Sequence, residues 1–275
     1  MLERRANLGD MKRDVHSRIT LSISEPADLV FAIAVADAYD PGSERITATV
    51  DGQPVAVREL PDAHGGRLHR VQATAGTLEV VYDASVSSPG SPQITTPTDL
   101  LVATRPSRYA ESDRLAATAF SAFGDLEPAR ELLLAVSSWV GTRLTYVPGS
   151  SLPTDGAVET LLARKGVCRD YAHLCVALLR ACGVPARLVS VYAPGLDPMD
   201  FHAVAEAWVN GRWCVVDATA LAPRQSLVRI ATGRDAADTA FLNVISGRCE
   251  LIDMEVTAVA DELPTDDLDE LVTIS

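Results

Sequence analysis

Three residue types that can together break and re-form an acyl bond occur in one stretch of the chain, between Gly166 and Ala220. A cysteine thiolate can attack a carbonyl carbon, a histidine can accept and return the proton, and a carboxylate can hold the imidazole in place. We interpret Cys168 as the candidate nucleophile, His202 as the candidate base and Asp217 as the candidate orienting group.

The residues that follow Cys168 predict that its thiol lies at the start of a helix. Apolar residues recur at steps of three and four between Asp170 and Cys182, as one buried helix face requires. Gly183 then caps the helix, and Pro185 prevents its continuation. In the first turn of a helix, the unpaired backbone N–H groups and the positive end of the dipole favour a thiolate over a thiol.

A hairpin predicted between His202 and Thr219 brings the other two candidates together. Its two apolar runs are joined by Asn210-Gly211, the pair that a two-residue type I′ turn prefers. Counted outward from this turn, Asp217 becomes a diagonal neighbour of His202 on one face of the sheet, at a Cβ separation of roughly 7–8 Å or less. A slip of one residue would put the two side chains on opposite faces, so the site depends on the turn.

Three blocks of the sequence resemble the signature blocks of a known family. GVCRDYAHL, DFHAVAEAWV and RWCVVDAT are similar to the blocks that carry cysteine, histidine and aspartate, in that order, in the transglutaminase-like superfamily of papain-like cysteine enzymes. The resemblance covers about Pro106 to Gly247, and the outer segments resemble a bacterial branch of transglutaminase-like cysteine proteases with an N-terminal β-domain. This resemblance implies that Cys168 and His202 meet in space, with Asp217 as the orienting residue.

The same resemblance implies an α+β fold. In that fold the helix carrying the nucleophile packs on the antiparallel sheet of a papain-like or transglutaminase core, and a small β-sandwich-like domain precedes it. Two positions depart from the family pattern: Val204 stands where an aromatic residue is usual, and Cys214 where tyrosine or phenylalanine is common. Both departures concern the shape of the pocket and leave the three candidate residues in place.

The rest of the chain predicts an N-terminal β-domain over residues 1–98, a catalytic domain over 99–260 and an acidic tail over 261–275. Short apolar runs separated by turns predict a meander of strands in the first part, and the Ser/Pro/Thr-rich segment from 85 to 98 is typical of a linker. We expect helices at 112–122, 128–142 and 156–164. A closing strand near 249–259 is expected to complete the catalytic core, and the tail to be frayed.

Other cysteine and histidine residues have a structural interpretation. Cys175 and Cys182 lie at seven-residue steps from Cys168 and are expected to pack in the core, and His173 is expected to be a structural histidine. The chain has no CxxC, HxxxH or HExxH pattern, and cysteines seven apart on a helix are separated by about 10 Å along its axis. No phosphate-binding glycine loop occurs either. We therefore predict no metal and no cofactor.

The composition restricts the partners and the cellular compartment that we expect for the chain. The 275 residues carry a formal net charge of −13, which argues against a nucleic-acid partner. Five cysteines, an odd number, favour a reducing compartment. The first residues show no signal-peptide pattern, and the apolar run 29–36 is too short to span a bilayer. We expect a cytoplasmic protein that binds no membrane.

These observations predict an enzyme that acts on a peptide or protein substrate. The predicted reaction is cysteine-dependent acyl transfer through a thioester acyl-enzyme, with hydrolysis of a peptide or amide bond favoured. Two alternatives remain open: transfer of a glutaminyl acyl group to an amine, as in a transglutaminase, and a peptide-binding module without catalysis. The oligomeric state cannot be deduced from the sequence.

Overall fold

The computed structural model describes residues 11–87, 89–91 and 93–274. Within this range a β-rich N-terminal region leads into a region that mixes helices with a second sheet. In chain order the elements are β1 Arg13–Phe31, β2 Ser43–Val50, β3 Gln53–Val55, β4 Val57–Pro61, β5 Arg67–Ala73, β6 Gly76–Val86, α1 Pro97–Val102, α2 Ala116–Phe123, α3 Arg130–Arg143, β7 Thr145–Tyr146, α4 Ala157–Ala163, β8 Lys165–Gly166, α5 Cys168–Ala181, β9 Ala186–Tyr192, β10 Phe201–Val209, β11 Arg212–Val216, β12 Val228–Gly233, α6 Ala236–Thr239 and β13 Leu242–Ala260.

The N-terminal sheet is organised around the long strand β1. Its buried residues alternate with more exposed ones, as in a strand with one face on a core, and Ile19, Leu21 and Ile23 are among the buried side chains. The first half of β1 pairs with β6 and the second half with β5, so the strand order is β3-β2-β6-β1-β5-β4 rather than that of a meander. Because β4 contacts β2 and β5 contacts β3, the sheet folds back on itself like a small sandwich.

The last strand differs from its predicted place. The sequence predicted a closing strand for the catalytic core, but β13 pairs antiparallel with β1 along its length, from Arg13 opposite Ala260 to Phe31 opposite Leu242. It therefore joins the N-terminal sheet as its seventh strand. Strands far apart in sequence can pair whenever their faces match, and the local pattern of β13 does not specify its partner. The division of the chain at residue 98 stays a prediction.

The second sheet carries the candidate catalytic hairpin. Its four strands follow the order β11-β10-β9-β12, and all its pairs are antiparallel. Helix α5 packs against β9 and β10, and α2, α3 and α4 pack around α5. Almost every residue of α5 after the first turn is buried, so this helix is the centre of the core beneath the second sheet. The expected helices form as α2, α3 and α4, with shorter bounds at some ends. None of the helices in the described part of the chain is long and apolar enough to cross a bilayer.

Buried contacts join the two sheets. The hydroxyl of Tyr192 on β9 donates to the carbonyl oxygen of Ile33 at 2.8 Å, and the backbone N–H of Ala36 donates to the carbonyl oxygen of Arg229 at 2.9 Å. Tyr192 also belongs to the apolar core beneath β1. The N-terminal sheet is therefore packed directly against the catalytic sheet and can contribute to a site on it.

The acidic C-terminal segment is bound to the catalytic core, although a frayed tail was predicted. The guanidinium of Arg224 donates to Asp266 at 2.9 Å, and the backbone N–H of Val215 on β11 donates to the carbonyl oxygen of Val272 at 2.8 Å. Arg130 on α3 donates to the carbonyl oxygen of Asp269 at 2.8 Å. The acidic composition suggested a solvated segment. The segment is held because the buried Arg224 pairs with it, and composition alone does not reveal that partner.

Replacing Arg224 by alanine should release this segment. Its side chain is 5% exposed and bonds both Asp266 and the carbonyl oxygen of Asp267, and hydrogen bonds to charged groups contribute about 1.5–3 kcal/mol each. We expect amide hydrogen exchange over 262–272 to accelerate by about tenfold or more in Arg224→Ala, with exchange in β1 unchanged. Unaltered protection over 262–272 would mean that other contacts hold the segment.

Candidate active site

The start of α5 holds Cys168 in a fixed position. Cys168 is the first residue of the helix, directly after Val167, and lies on the wall of a cleft. The carboxylate of Asp170 accepts from the backbone N–H of Val167 at 2.8 Å and from the hydroxyl of Ser151 at 2.9 Å. Because Asp170 is 1% exposed and doubly bonded, it fixes the first turn and the loop beside it. The thiol thus lies where the sequence predicted, at the positive end of a helix.

The hairpin that carries His202 has the predicted register. Asn210 and Gly211 have φ values of 53° and 76°, the left-handed conformations that a type I′ turn needs at both central positions. Trp208 lies opposite Trp213, and the pairing continues outward to Ala205 opposite Val216. Strand β11 ends at Val216, so Asp217 is the first residue beyond it.

His202 and Asp217 form a buried hydrogen-bonded pair. The imidazole Nε2 lies 3.0 Å from Asp217 Oδ2, and the two residues are 2% and 5% exposed. The second carboxylate oxygen, Oδ1, accepts from the backbone N–H of Thr219 at 2.9 Å and from its hydroxyl at 2.7 Å. Both oxygens of Asp217 are therefore occupied, which leaves the carboxylate one orientation and holds the imidazole in one tautomer or as the imidazolium.

The surroundings favour the charged forms of both groups. Burial alone would lower the pKa of His202, but the negative charge and the hydrogen bond of Asp217, with the influence of Cys168 after them, raise it to about 10. Burial alone would raise the pKa of Asp217, but the neighbouring imidazolium and the donors of Thr219 lower it. The pair is thus an imidazolium and a carboxylate over the neutral range.

Cys168 and His202 lie on the wall of the same cleft. The charge of Cys168 is among the influences that raise the pKa of His202, after those of Asp217. The nitrogen not used by Asp217, Nδ1, is buried and has no hydrogen-bond partner in the described part of the chain. The structure therefore brings the three candidate residues into one site.

A cleft of about 490 Å³ opens in front of Cys168 and His202. Its lining combines polar with apolar side chains. Besides Cys168 and His202, the polar ones include Ser151, Arg169, Ser190, Asp200 and Thr239, and the larger apolar ones are Leu188, Phe201, Ile230, Phe241 and Met254. Met254 lies on β13 of the N-terminal sheet and Ala32 directly follows β1, so that sheet completes the wall of the cleft. An apolar wall beside a few convergent polar groups is typical of a substrate site.

The other candidate groups serve structural roles. His173 is fully buried, stacks on Tyr109 with 5.3 Å between ring centroids, and accepts from the backbone N–H of Ala236. Burial lowers its pKa to about 3, so it stays neutral. Glu206 pairs with two arginines and not with His202. No set of three or more acidic, histidine or cysteine side chains in the described ranges is placed to hold a metal ion.

The remaining cysteines differ from Cys168 in their environment. All five cysteines are free thiols. Burial raises the pKa of the four that do not face the cleft, namely Cys175, Cys182, Cys214 and Cys249. Since the thiolate is the reactive form, these four are poorly suited to nucleophilic chemistry at neutral pH.

Two residues of the site were missed by the sequence reasoning. Thr219 bonds Asp217 after the strand has ended, although the sequence placed it within the hairpin opposite His202. Tyr146 lies opposite Gly166 in the pairing of β7 with β8, and burial, with the charge of Cys168 next, raises the pKa of its phenol. An Asp-x-Thr sequence after a strand is a turn signal that could have revealed Thr219, whereas a two-residue strand gives no pattern that could reveal Tyr146.

Comparison with known proteins agrees with this geometry. Residues 116–218 match the model of the transglutaminase-like superfamily. The structure superposes with a TM-score of 0.85 on the crystal structure of "a Putative Cysteine Protease from Cytophaga hutchinsonii", which is 33% identical and matches over 93% of this chain and 92% of that one. The chain belongs to the transglutaminase-like superfamily, and its fold is the α+β fold of that superfamily.

Two mycobacterial proteins without an assigned function are also similar. An uncharacterized protein of Mycobacterium tuberculosis is 37% identical over an alignment of 154 residues, with 49% of this chain and 49% of that protein covered. An uncharacterized protein of Mycobacterium leprae is 31% identical over 128 residues, covering 43% of this chain and 46% of that protein. The chain spans about half the length of the curated relatives it matches.

Proposed function

We propose that this chain is a cysteine hydrolase that cleaves a peptide or amide bond through a thioester acyl-enzyme. The observation that carries the proposal is the buried His202–Asp217 pair at 3.0 Å, with His202 and Cys168 on the wall of the same cleft. The similarity to a protein named as a putative cysteine protease supports the same chemistry.

The first half of the reaction acylates the cysteine. The thiolate of Cys168 attacks the carbonyl carbon, a C–S bond forms, and the electron pair of the C=O bond moves to the oxygen. As the tetrahedral intermediate collapses, the leaving amine takes the proton that the imidazolium of His202 holds. Asp217 keeps the ring in line throughout, since both of its oxygens are held.

The second half regenerates the thiolate. His202, now neutral, accepts a proton from water as the water oxygen attacks the thioester, and a carboxylic acid leaves. A primary amine that attacks instead gives an amide, which would be transglutaminase-type transfer. Both outcomes share one acyl-enzyme, so a competition between water and added methylamine, with the products identified by mass spectrometry, distinguishes them. We propose that water is the acceptor.

Alkylation by iodoacetamide tests the proposed nucleophile. Across about pH 5 to 9, with each cysteine followed by peptide mass spectrometry, Cys168 should label fast on the acidic side of the free-thiol range, which is centred near ~8.5. The other four cysteines serve as internal controls and should label slowly, because burial raises the pKa of each thiol. In His202→Ala the acid-side labelling of Cys168 should disappear.

Equal labelling of all five cysteines in the folded protein would count against a catalytic Cys168. The chain would then be better described as a peptide-binding module that keeps the fold. If Cys168 labels fast but the protein cleaves neither labelled casein nor peptide amides, the thiol is reactive and the proposed protease activity is contradicted.

A further inference from the structure

Strand β13 bends near its middle, together with its neighbour β1. Strand β1 pairs with β6 up to Ile23 and with β5 from Ala27, and its register with β13 shifts between these two pairings. On β13 the bend contains Gly247, with a φ of 84°, and a Cβ there would overlap the carbonyl oxygen of Pro26. This close approach and the positive φ require glycine. We call the bent part of the strand, residues 244–252, the β13 corner.

Both arms of the β13 corner lead back to the cleft. Met254 lies two residues after the corner and Phe241 three residues before it, and both line the cleft. Since a strand rises about 3.3 Å per residue, each end of the corner lies within roughly 10 Å of a cleft residue. Met254 and Leu251 share one face of the sheet, because they pair with Ile19 and Leu21, which are both buried in the core. The wall of the cleft therefore continues along β13 onto the corner.

The β13 corner exposes large apolar side chains to solvent. Four of them are each between 46% and 62% exposed, namely Val244, Ile245, Leu251 and Ile252. Charged side chains adjoin them, since Arg248 lies within the corner and pairs with Glu25 of β1 at 3.9 Å. An exposed apolar patch with a polar rim is typical of an interaction site.

The strand also has an open edge. One edge of β13 pairs with β1, and within residues 11–87, 89–91 and 93–274 no other strand pairs with β13. The backbone N–H and C=O groups of the second edge can therefore accept an added strand. An extended polypeptide fits both features of this surface, because its main chain can hydrogen-bond to the edge while its apolar side chains cover the patch.

We propose that the β13 corner is an exosite, which binds apolar side chains of an extended polypeptide substrate while the scissile carbonyl lies at Cys168. The inference rests on the proposed function, since it needs a polypeptide that is cleaved at that thiol. The substrate class is then an unfolded or locally extended protein segment that carries apolar residues. The continuity of the corner with the cleft wall favours the substrate over a second copy of this chain as its occupant.

Binding is measured in an inactive background. Cys168→Ala removes the thiol, and the fluorescence anisotropy of fluorescein-labelled casein, a polypeptide without a fixed fold, reports binding. Adding Ile245→Ser and Ile252→Ser should raise the Kd by ~10-fold or more, because each replacement removes most of an apolar side chain from the patch. The matched control adds Phe120→Ser and Leu162→Ser, which remove exposed apolar side chains from α2 and α4. This control should leave the Kd within about twofold, as for other surface substitutions.

Cleavage separates the exosite from the chemistry at the thiol. In the active protein, the same two serine replacements should lower kcat/KM for labelled casein by ~10-fold relative to the rate of acylation by p-nitrophenyl acetate, an ester too small to reach the corner. The loss should lie in KM, because contacts away from the reacting atoms stabilise the bound substrate and the transition state equally.

The other outcomes overturn the inference in different ways. A Kd that is unchanged in the serine variant, or raised equally in the control, would mean that the corner binds no polypeptide substrate. If light scattering shows a dimer that the serine variant loses, while casein binding is unchanged, the corner is an interface between two copies. If wild type neither cleaves casein nor is acylated by p-nitrophenyl acetate, the proposed function fails, and a corner-dependent Kd then describes a binding surface without catalysis.

The buried cysteines report whether each variant folds. Cys175 is fully buried, so its alkylation by iodoacetamide identifies a misfolded sample. If the double variant misfolds, the single variants Ile245→Ser and Ile252→Ser are measured in its place, and each should still raise the Kd for casein. An unchanged Kd in both folded single variants would contradict the exosite.

Discussion

An Asp217→Asn variant is expected to keep its fold and to acylate Cys168 more slowly by ~10³- to 10⁴-fold, the loss that a Ser-His-Asp protease shows when its orienting aspartate becomes asparagine. Asparagine preserves the shape, but it cannot stabilise an imidazolium in a site where His202 is 2% exposed. Without the negative charge, burial becomes the dominant influence and lowers the pKa of His202. The ring is then neutral, and the thiolate loses its counterion.

The measurement is the burst of p-nitrophenolate released from p-nitrophenyl acetate, read together with the pH profile of Cys168 alkylation. The acid-side alkylation expected of wild type should be absent in Asp217→Asn. Asp28→Asn is a matched control, because it removes a carboxylate paired with Arg70 on the N-terminal sheet, and it should leave both rates unchanged. A burst in Asp217→Asn equal to that of wild type would show that Asp217 does not orient the base.

The hairpin of this site could be predicted because its determinants are local. Asn210 and Gly211 specify one turn type, and the turn specifies the register up to Ala205 opposite Val216. The position of Cys168 at a helix start was also readable, from the glycine before it and the periodic apolar residues after it. The approach of Cys168 to His202 is a tertiary contact that no periodicity encodes, and the family resemblance supplied it.

The features that escaped prediction depend on partners distant in the chain. Strand β13 shows a β pattern, but nothing within it identifies β1 as its neighbour. Tyr146 is brought beside Gly166 by a pairing of only two residues on each side, too short to produce an alternation. The tail has an acidic composition. Its hydrogen bonds to Arg224 depend on the burial of the arginine side chain, which composition does not show. In each case the signal lies in the pairing of two segments and in neither segment alone.

Replacing Glu206 by alanine should cost about 3–5 kcal/mol of folding free energy, because it leaves buried positive charge without its counterion. Glu206 is 0% exposed on β10, and its oxygens lie 2.7 Å from Arg187 Nη2 and 2.5 Å from Arg229 Nη2. Arg187 also stacks on Trp213, with 3.9 Å between the guanidinium carbon and the ring centroid. The cluster connects β9, β10 and β12, so its loss loosens the sheet that carries His202.

Urea unfolding at neutral pH measures the change, and Glu255→Ala is the surface control. Glu255 pairs with Arg18 at 2.7 Å but lies on an exposed face, so its removal should leave the unfolding midpoint close to that of wild type. If the urea unfolding midpoint of Glu206→Ala is as high as that of Glu255→Ala, solvent or other groups compensate the charges of the two arginines.

The pH dependence of the unfolding free energy tests whether the charge of Glu206 causes the loss of stability. Burial alone would raise the pKa of Glu206, but Arg229 and Arg187 outweigh it and lower the pKa to about 2, against an ordinary value of 4.5. A carboxylate with a lowered pKa in the folded state stabilises the protein above its unfolded pKa and loses that contribution as the pH falls toward its folded pKa. The stability difference between wild type and Glu206→Gln should therefore be full at pH 6 and shrink between about pH 4.5 and pH 2. A difference that stays constant across this window would assign the loss to packing, and the ion cluster would then have no electrostatic part in holding the catalytic sheet together.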